Sequence, residues 1–103
     1  MGLGAIAVSV DQKTGERETL HSWRKHYPLH DWMTRLFQAN GGTEAEPGFS
    51  VRLTAEDLDH LELDVIAGKL EYPGHSIRSD GCFISNARGE LRRGMQITYS
   101  GSN

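Results

Sequence analysis

Two histidines and an aspartate lie close together in the first third of the chain, at a spacing that metal sites use. His26 and His30 are four residues apart, and Asp31 follows directly. On a continuous helix, residues four apart share a face, and two imidazoles with a carboxylate are ligands that Zn²⁺ accepts. Pro28 lies between the histidines and disfavours a continuous helix. We therefore interpret both histidines as structural or surface residues, and we predict no metal and no cofactor.

A basic and aromatic run surrounds the first histidine. A run of this composition can stack on bases and hold phosphates, or it can anchor a protein partner. The other interpretation is that the tryptophan belongs to the core and the cations are solvated. If the run binds a partner, the candidate residues are Trp23, Arg24, Lys25, His26 and His30.

Acidic residues recur through the middle of the chain, in a segment with helical periodicity. They would give that helix an acidic outer side, which could meet a basic partner such as the nucleic-acid-binding surface of another protein. The alternative is an acidic face that is only solvated. The candidate binding residues here are Glu56, Asp59 and Glu62.

A third group combines possible nucleophiles with a possible base. Ser76, Ser79 and Cys82 all follow His75 closely in the sequence. Nucleophilic catalysis needs a third, orienting group in three dimensions, which closeness in sequence does not supply. We therefore assign no catalytic residue. Cys82 is the only cysteine, so no intrachain disulfide can form; we expect it to be half-buried and the protein to be cytoplasmic.

The hydrophobic pattern predicts the elements that must position these side chains. Ile6, Val8 and Val10 alternate with small residues, as in a strand. Later apolar residues recur with helical spacing, including an inward stripe of Leu58, Leu61 and Val65 that Ile66 and Leu70 widen. We predict a strand over 3–10 and a mostly helical segment over 18–40, in which Pro28 either kinks the helix or occupies the first turn of a new one. We then predict a strand over 49–53, a helix from an N-cap at Thr54 to about Gly68, a loop over 71–81, a helix over 81–93, a last strand over 95–99 and a frayed tail over 101–103.

These elements predict an α+β fold. The expected architecture is a small, about three-stranded sheet with two to three helices packed on one face, in a single domain over 1–103. Hydrophobic residues make up 37% of the chain and charged residues 24%, which argues against a disordered or a membrane protein. The net charge of −3 argues against nucleic acid as the partner.

Much of the chain resembles a group of small proteins found in tailed bacteriophages, prophages and bacterial genomes. The similar segments are MGL at 1–3, SWRKHYPLHDWM at 22–33 and FSVRLTAEDLDHLELDVIAGKL at 49–70. The most specific part is the core of Trp23, Arg24, Lys25, His30, Trp32 and Met33. The group has no established activity. Some members are labelled phosphoglycerate kinase, which a chain of 103 residues without a glycine-rich phosphate loop cannot support.

The resemblance implies a phage- or prophage-type accessory protein. We predict that it acts in the bacterial cytoplasm by binding another macromolecule, such as a host protein or an anti-phage defence protein, and not by catalysis. One alternative is a metal-dependent hydrolase using His26, His30 and an acid. The other is a small-molecule or nucleotide-binding, sequestering protein built around Trp23, Arg24, Lys25, His30 and Trp32.

Overall fold

The computed structural model describes residues 4–41 and 50–102, which form one antiparallel sheet and three helices. Across the sheet the strands lie in the order Arg17–Arg24, Gly4–Val10, Gln96–Ser102 and Ser50–Leu53. The α+β architecture is confirmed, with a fourth strand added to the three predicted. The predictions for Leu3, Phe49 and Asn103 lie outside the described residues. The elements are β1 (Gly4–Val10), β2 (Arg17–Arg24), α1 (Tyr27–Ala39), β3 (Ser50–Leu53), α2 (Ala55–Ile66), α3 (Ile77–Arg92) and β4 (Gln96–Ser102).

The additional strand, β2, replaces the first part of the predicted helical segment, and Pro28 lies in the first turn of a separate helix, so the helix prediction is wrong for residues 18–24. The cause is the preceding turn, where Gly15 adopts a positive φ of 77° and donates its N–H to the Asp11 carbonyl at 2.7 Å. The Asp11 carboxylate also accepts from the N–H of Lys13. This turn folds β2 back along β1 as a hairpin, and the ladder of hydrogen bonds outweighs the local helical pattern.

The inner face of the sheet combines small residues from the centre with large rings from the neighbours. Ala5 pairs with Trp23, and Ala7 pairs with Tyr99. The Trp23 ring packs edge-on against Phe83 of α3, with 4.8 Å between ring centroids. Because the rings fill the space under the helices, only small side chains fit beside them on β1, and Ile6 lies on the opposite face with 39% of its surface exposed.

All three helices contribute buried side chains to this one core. The contributing residues are Leu29 and Met33 from α1, Leu58, Leu61 and Val65 from α2, and Phe83, Ile84 and Ala87 from α3. The predicted N-cap of α2 is confirmed as a capping box, because Thr54 accepts from the N–H of Asp57 while the Asp57 carboxylate accepts from the N–H of Thr54. Among the described residues, no helix combines the length and the apolar character that a membrane span needs.

Three smaller predictions are corrected by the structure. The third helix begins at Ile77 and not near Gly81, because the hydroxyl of Ser76 caps it by accepting from the N–H of Ser79. Cys82 is exposed and not half-buried. The tail does not fray as far as the description reaches, because β4 is a central strand and Ser102 still pairs with β1.

Gly101 tests how tightly β4 packs under α1. A Cβ added at Gly101 would lie 2.7 Å from Nδ1 and 2.8 Å from Cε1 of His30. We therefore expect Gly101→Ala to lower the free energy of unfolding by about 1–3 kcal/mol in urea denaturation. Gly89→Ala is the matched control, since no described atom lies within 4 Å of its added Cβ. It should raise the free energy of unfolding by up to about 1 kcal/mol, because alanine is the better helix former. Equal effects of the two substitutions would contradict the packing described here.

Candidate functional site

An open groove of about 850 Å³ lies between the end of β2 and the turn that precedes α3. The turn is closed by backbone hydrogen bonds in both directions between Tyr72 and His75, and Gly74 gives it a positive φ of 88°. We call this cavity the Lys25 groove and define it by its lining residues, Arg24, Lys25, Tyr72, Pro73, Gly74 and His75.

His75 joins the two walls of the Lys25 groove. Its Nε2 lies 2.7 Å from the carbonyl oxygen of Arg24. A carbonyl oxygen can only accept, so Nε2 carries the proton and donates it, and in the neutral imidazole Nδ1 stays an acceptor. The His75 ring also stacks on His26, with 4.1 Å between centroids and 7° between planes. The orientation of the His75 ring is therefore fixed by one hydrogen bond and one stacking contact.

A buried ion-pairing contact lies beneath this stack. Nε2 of His26 is 3.0 Å and 3.2 Å from the two carboxylate oxygens of Asp80, and the residues are only 2% and 4% exposed. A carboxylate at this depth needs such a partner, because an unpaired buried charge is very unfavourable. The predicted binding residue His26 is thus a link between the β2–α1 connection and α3, closed off from any ligand.

Lys25 has a left-handed backbone conformation, with a φ of 55°. It is the one non-glycine residue with positive φ in the described part of the chain. A side chain costs about 1–2 kcal/mol in this conformation, so the neighbours must impose it. They do so on both sides: the Arg24 carbonyl is held by His75, and His26 is held by Asp80. The strained corner places Lys25 in the lining of the groove.

The two tryptophans do not come together. Trp23 is 5% exposed and packs in the core, as the second interpretation of the basic and aromatic run expected. Trp32 donates its Nε1–H to Asp64 of α2 at 2.8 Å and lines a separate cavity of about 160 Å³. The structure therefore brings Arg24 and Lys25 to a groove without the tryptophans. The rings that line or border this groove come from Tyr72 and Tyr27, which contact each other edge to face, with 5.7 Å between centroids.

His30 has a different partner from His26. Its Nδ1 lies 3.0 Å from the hydroxyl of Tyr99. Burial lowers the pKa of His30 and raises the pKa of the Tyr99 hydroxyl, so both changes favour a hydrogen bond between neutral groups. The two histidines of the sequence motif thus point to different residues. Across residues 4–41 and 50–102, no group of three or more His, Cys, Asp or Glu side chains is placed to hold a metal ion.

The acidic candidates of α2 lie on a second surface, which shares no residue with the lining of the Lys25 groove. Arg88 of α3 binds two of them: its guanidinium is 2.7 Å from Asp59 and 2.9 Å from Glu62. Glu56 is exposed at the start of the same helix. These contacts hold the carboxylates of Asp59 and Glu62 in position. The single positive charge of Arg88 balances one of their two negative charges.

Two exposed aliphatic residues continue this acidic surface. Leu63 is 66% and Ile66 is 65% exposed, so the prediction that Ile66 faces inward is wrong. The inward positions of α2 are already filled by other residues, and the helical spacing turns Ile66 outward. We call the exposed row Glu56, Asp59, Leu63 and Ile66 the α2 stripe; its members are spaced by three and four residues and share one face. The sequence predicts the acidic residues of the α2 stripe but not the exposure of its two aliphatic residues.

The buried pair can be tested by removing the acid. Asp80→Ala leaves the buried Nε2–H of His26 without a partner, so we expect the free energy of unfolding to fall by about 3 kcal/mol. The control is Asp31→Ala, which removes an exposed i,i+4 pair with Arg35 and should change the free energy by less than about 0.5 kcal/mol. Urea denaturation measures both. Similar losses for the two variants would show that the buried contact has no special weight.

Two partly buried histidines make the fold sensitive to mild acid. Burial lowers the pKa of His30. Burial also lowers the pKa of His21, although the nearby Asp80 acts to raise it. The unfolded chain then binds more protons than the folded one, so the free energy of unfolding falls as the pH drops below about 6.5. We expect a lower urea midpoint at about pH 5.5 than at about pH 7.5.

The histidine variants separate this effect from general acid sensitivity. His30→Gln should reduce the difference between the two midpoints, whereas the same change at His60, which is exposed on α2, should leave it as in the wild type. An unchanged difference in His30→Gln would exclude His30 as a source of the pH dependence.

Comparison of the chain with known proteins gives no relative to argue from. No protein-family model matches it, and neither a curated protein nor a solved structure does.

Proposed function

We propose that the chain is a non-enzymatic binding protein that docks on a basic, partly apolar surface of a partner protein through the α2 stripe. The observation that carries this proposal is the exposure of Leu63 and Ile66, at 66% and 65%. Neighbouring large aliphatic side chains rimmed by charged residues are typical of protein interaction sites. Covering them would contribute on the order of 1–2 kcal/mol for each side chain.

The core gives no reason for these two residues to be apolar. Leu58, Leu61 and Val65 already bury the inward face of α2. Leu63 and Ile66 lie outside that face, where polar residues would serve the fold equally well. Their apolar character is therefore better explained by a contact that the isolated chain does not make.

Charge indicates what kind of surface covers the stripe. The helix has five carboxylates, whereas the cations paired with them are Arg88 and Lys69. The remaining negative charge favours a basic partner and would steer its approach, with an effect that added salt weakens. Arg88 also holds Asp59 and Glu62 in position, so less side-chain freedom is lost on docking. The acids of the α2 helix are Glu56, Asp57, Asp59, Glu62 and Asp64.

The resemblance to small phage and prophage proteins suggests where such a partner is found. We propose a host or anti-phage defence protein, with its nucleic-acid-binding surface as a natural basic target. Catalysis is not part of the proposal. The buried pair of His26 and Asp80 is closed to a substrate, at 2% and 4% exposure.

An affinity capture with matched variants tests this proposal. The wild-type chain is immobilised, exposed to a bacterial lysate and washed, and the retained proteins are quantified by mass spectrometry. Leu63→Ser combined with Ile66→Ser should reduce the retention of the true partner by at least about tenfold, because both the apolar contact and its desolvation are lost. Glu56→Lys should reduce it as well, and about 0.5 M salt should weaken the wild-type interaction.

The control variant is Ile6→Ser, which removes an exposed aliphatic residue from the opposite face of the sheet. A partner that binds the α2 stripe is retained by Ile6→Ser as by the wild type. If every captured protein is retained equally by the wild type and by the double variant, the stripe is not the docking surface and the proposal fails.

A further inference from the structure

The Lys25 groove is a local exception to the acidic character of the chain. Arg24 and Lys25 contribute positive charge to its lining, and none of the six described lining residues is acidic. The nearby Asp80 is buried and already paired with His26. In a chain with a net charge of −3, the groove is thus a place where an anionic group would meet cations without a competing carboxylate.

A second cationic groove shows that this arrangement is not general. Lys13 and Arg93 line a cavity beside the β1–β2 turn, but Asp11 lines the same cavity. The Asp11 carboxylate accepts hydrogen bonds from the N–H of Lys13, which lower the pKa of Asp11 and keep it charged. Lys13 and Arg93 therefore share their cavity with a carboxylate, whereas Arg24 and Lys25 do not.

The Lys25 groove also provides a flat apolar surface. Tyr72 lines it and is 38% exposed, and Tyr27 beside it is 45% exposed. Their edge-to-face contact holds the two rings in a defined arrangement. An aromatic side chain next to cations is the combination that nucleic-acid-binding proteins use for a base and its phosphate.

The backbone that carries Arg24 and Lys25 is held in place before any ligand arrives. His75 is fixed by the Arg24 carbonyl and by the stack on His26. Lys25 keeps a left-handed backbone that glycine would adopt more easily. A strained residue retained in a cavity lining is typical of sites where the side chain has a role. The volume of about 850 Å³ is in the range that small-molecule sites occupy.

We infer that the Lys25 groove binds a mononucleotide, with the phosphate held by Arg24 and Lys25 and the base lying against Tyr72. The inference is independent of the proposed function, because the groove and the α2 stripe share no residue. A nucleotide could therefore bind while α2 is occupied by a protein.

Calorimetric titration of the whole chain tests the inference with three probes: adenosine monophosphate, adenosine and inorganic phosphate. The nucleotide should bind at least about tenfold more tightly than adenosine or phosphate alone, because only the nucleotide uses both the cations and the ring. Tyr72→Leu should weaken the binding of the nucleotide and leave that of phosphate unchanged.

Lys25→Gly removes the ammonium group without endangering the fold, since glycine suits a φ of 55°. We expect a Tm at or above that of the wild type and a loss of nucleotide affinity of about tenfold. Lys13→Gln is the matched control for a cation in another groove, and it should bind the nucleotide as the wild type does.

Three results would overturn the inference. One is the absence of any heat of nucleotide binding at concentrations up to about 10 mM, because a specific site should have a lower dissociation constant than that. Another is equal affinity for the nucleotide and for phosphate, which would mean that Tyr72 holds no base. The third is an equal loss in Lys25→Gly and Lys13→Gln, which would mean general attraction to positive charge. None of these results bears on the α2 stripe.

Discussion

The contact between His26 and Asp80 is the constraint on which the rest of the site depends. It joins the connection between β2 and α1 to the first turn of α3, at a depth where a polar group without a partner is costly. His75 stacks on this pair and holds the end of β2, so Lys25 is confined between two fixed neighbours. The two walls of the groove come from segments about fifty residues apart in sequence. The groove therefore exists because the buried contact and the stacked His75 hold these segments together.

The sequence was most informative where a local pattern decides the structure. The capping box at Thr54 and the inward residues of α2 follow from spacing within one turn or one helix, and both were predicted. The prediction failed at β2, where apolar spacing resembled a helix and the deciding feature was the hairpin turn at Gly15. Ile66 was misplaced for a related reason: an apolar residue beside an inward stripe reads as core, and only the finished packing shows that the core is already full.

The candidate site could be predicted only in part. Arg24 and Lys25 were identified as binding residues from their composition, and they do line a groove. Trp23 belonged to the same run of sequence but is buried, because a strand sends alternate side chains to opposite faces. His26 follows the strand and is buried through its contact with Asp80. Tyr72 and His75 were not predicted as their companions, since a contact across this sequence distance leaves no local signal.

The positions of Gly4 and Ser102 in the sheet affect where a tag can be attached to the protein. Gly4 lies between Arg24 and Ser102 in neighbouring strands, so both ends of the described chain emerge beside the residue whose carbonyl holds His75. A purification tag or a fused domain joined directly to Gly4 or to Ser102 would therefore be tethered close to the same edge. Attachment through an exposed position elsewhere, such as the turn at 12–15, would instead leave that edge accessible to small solutes.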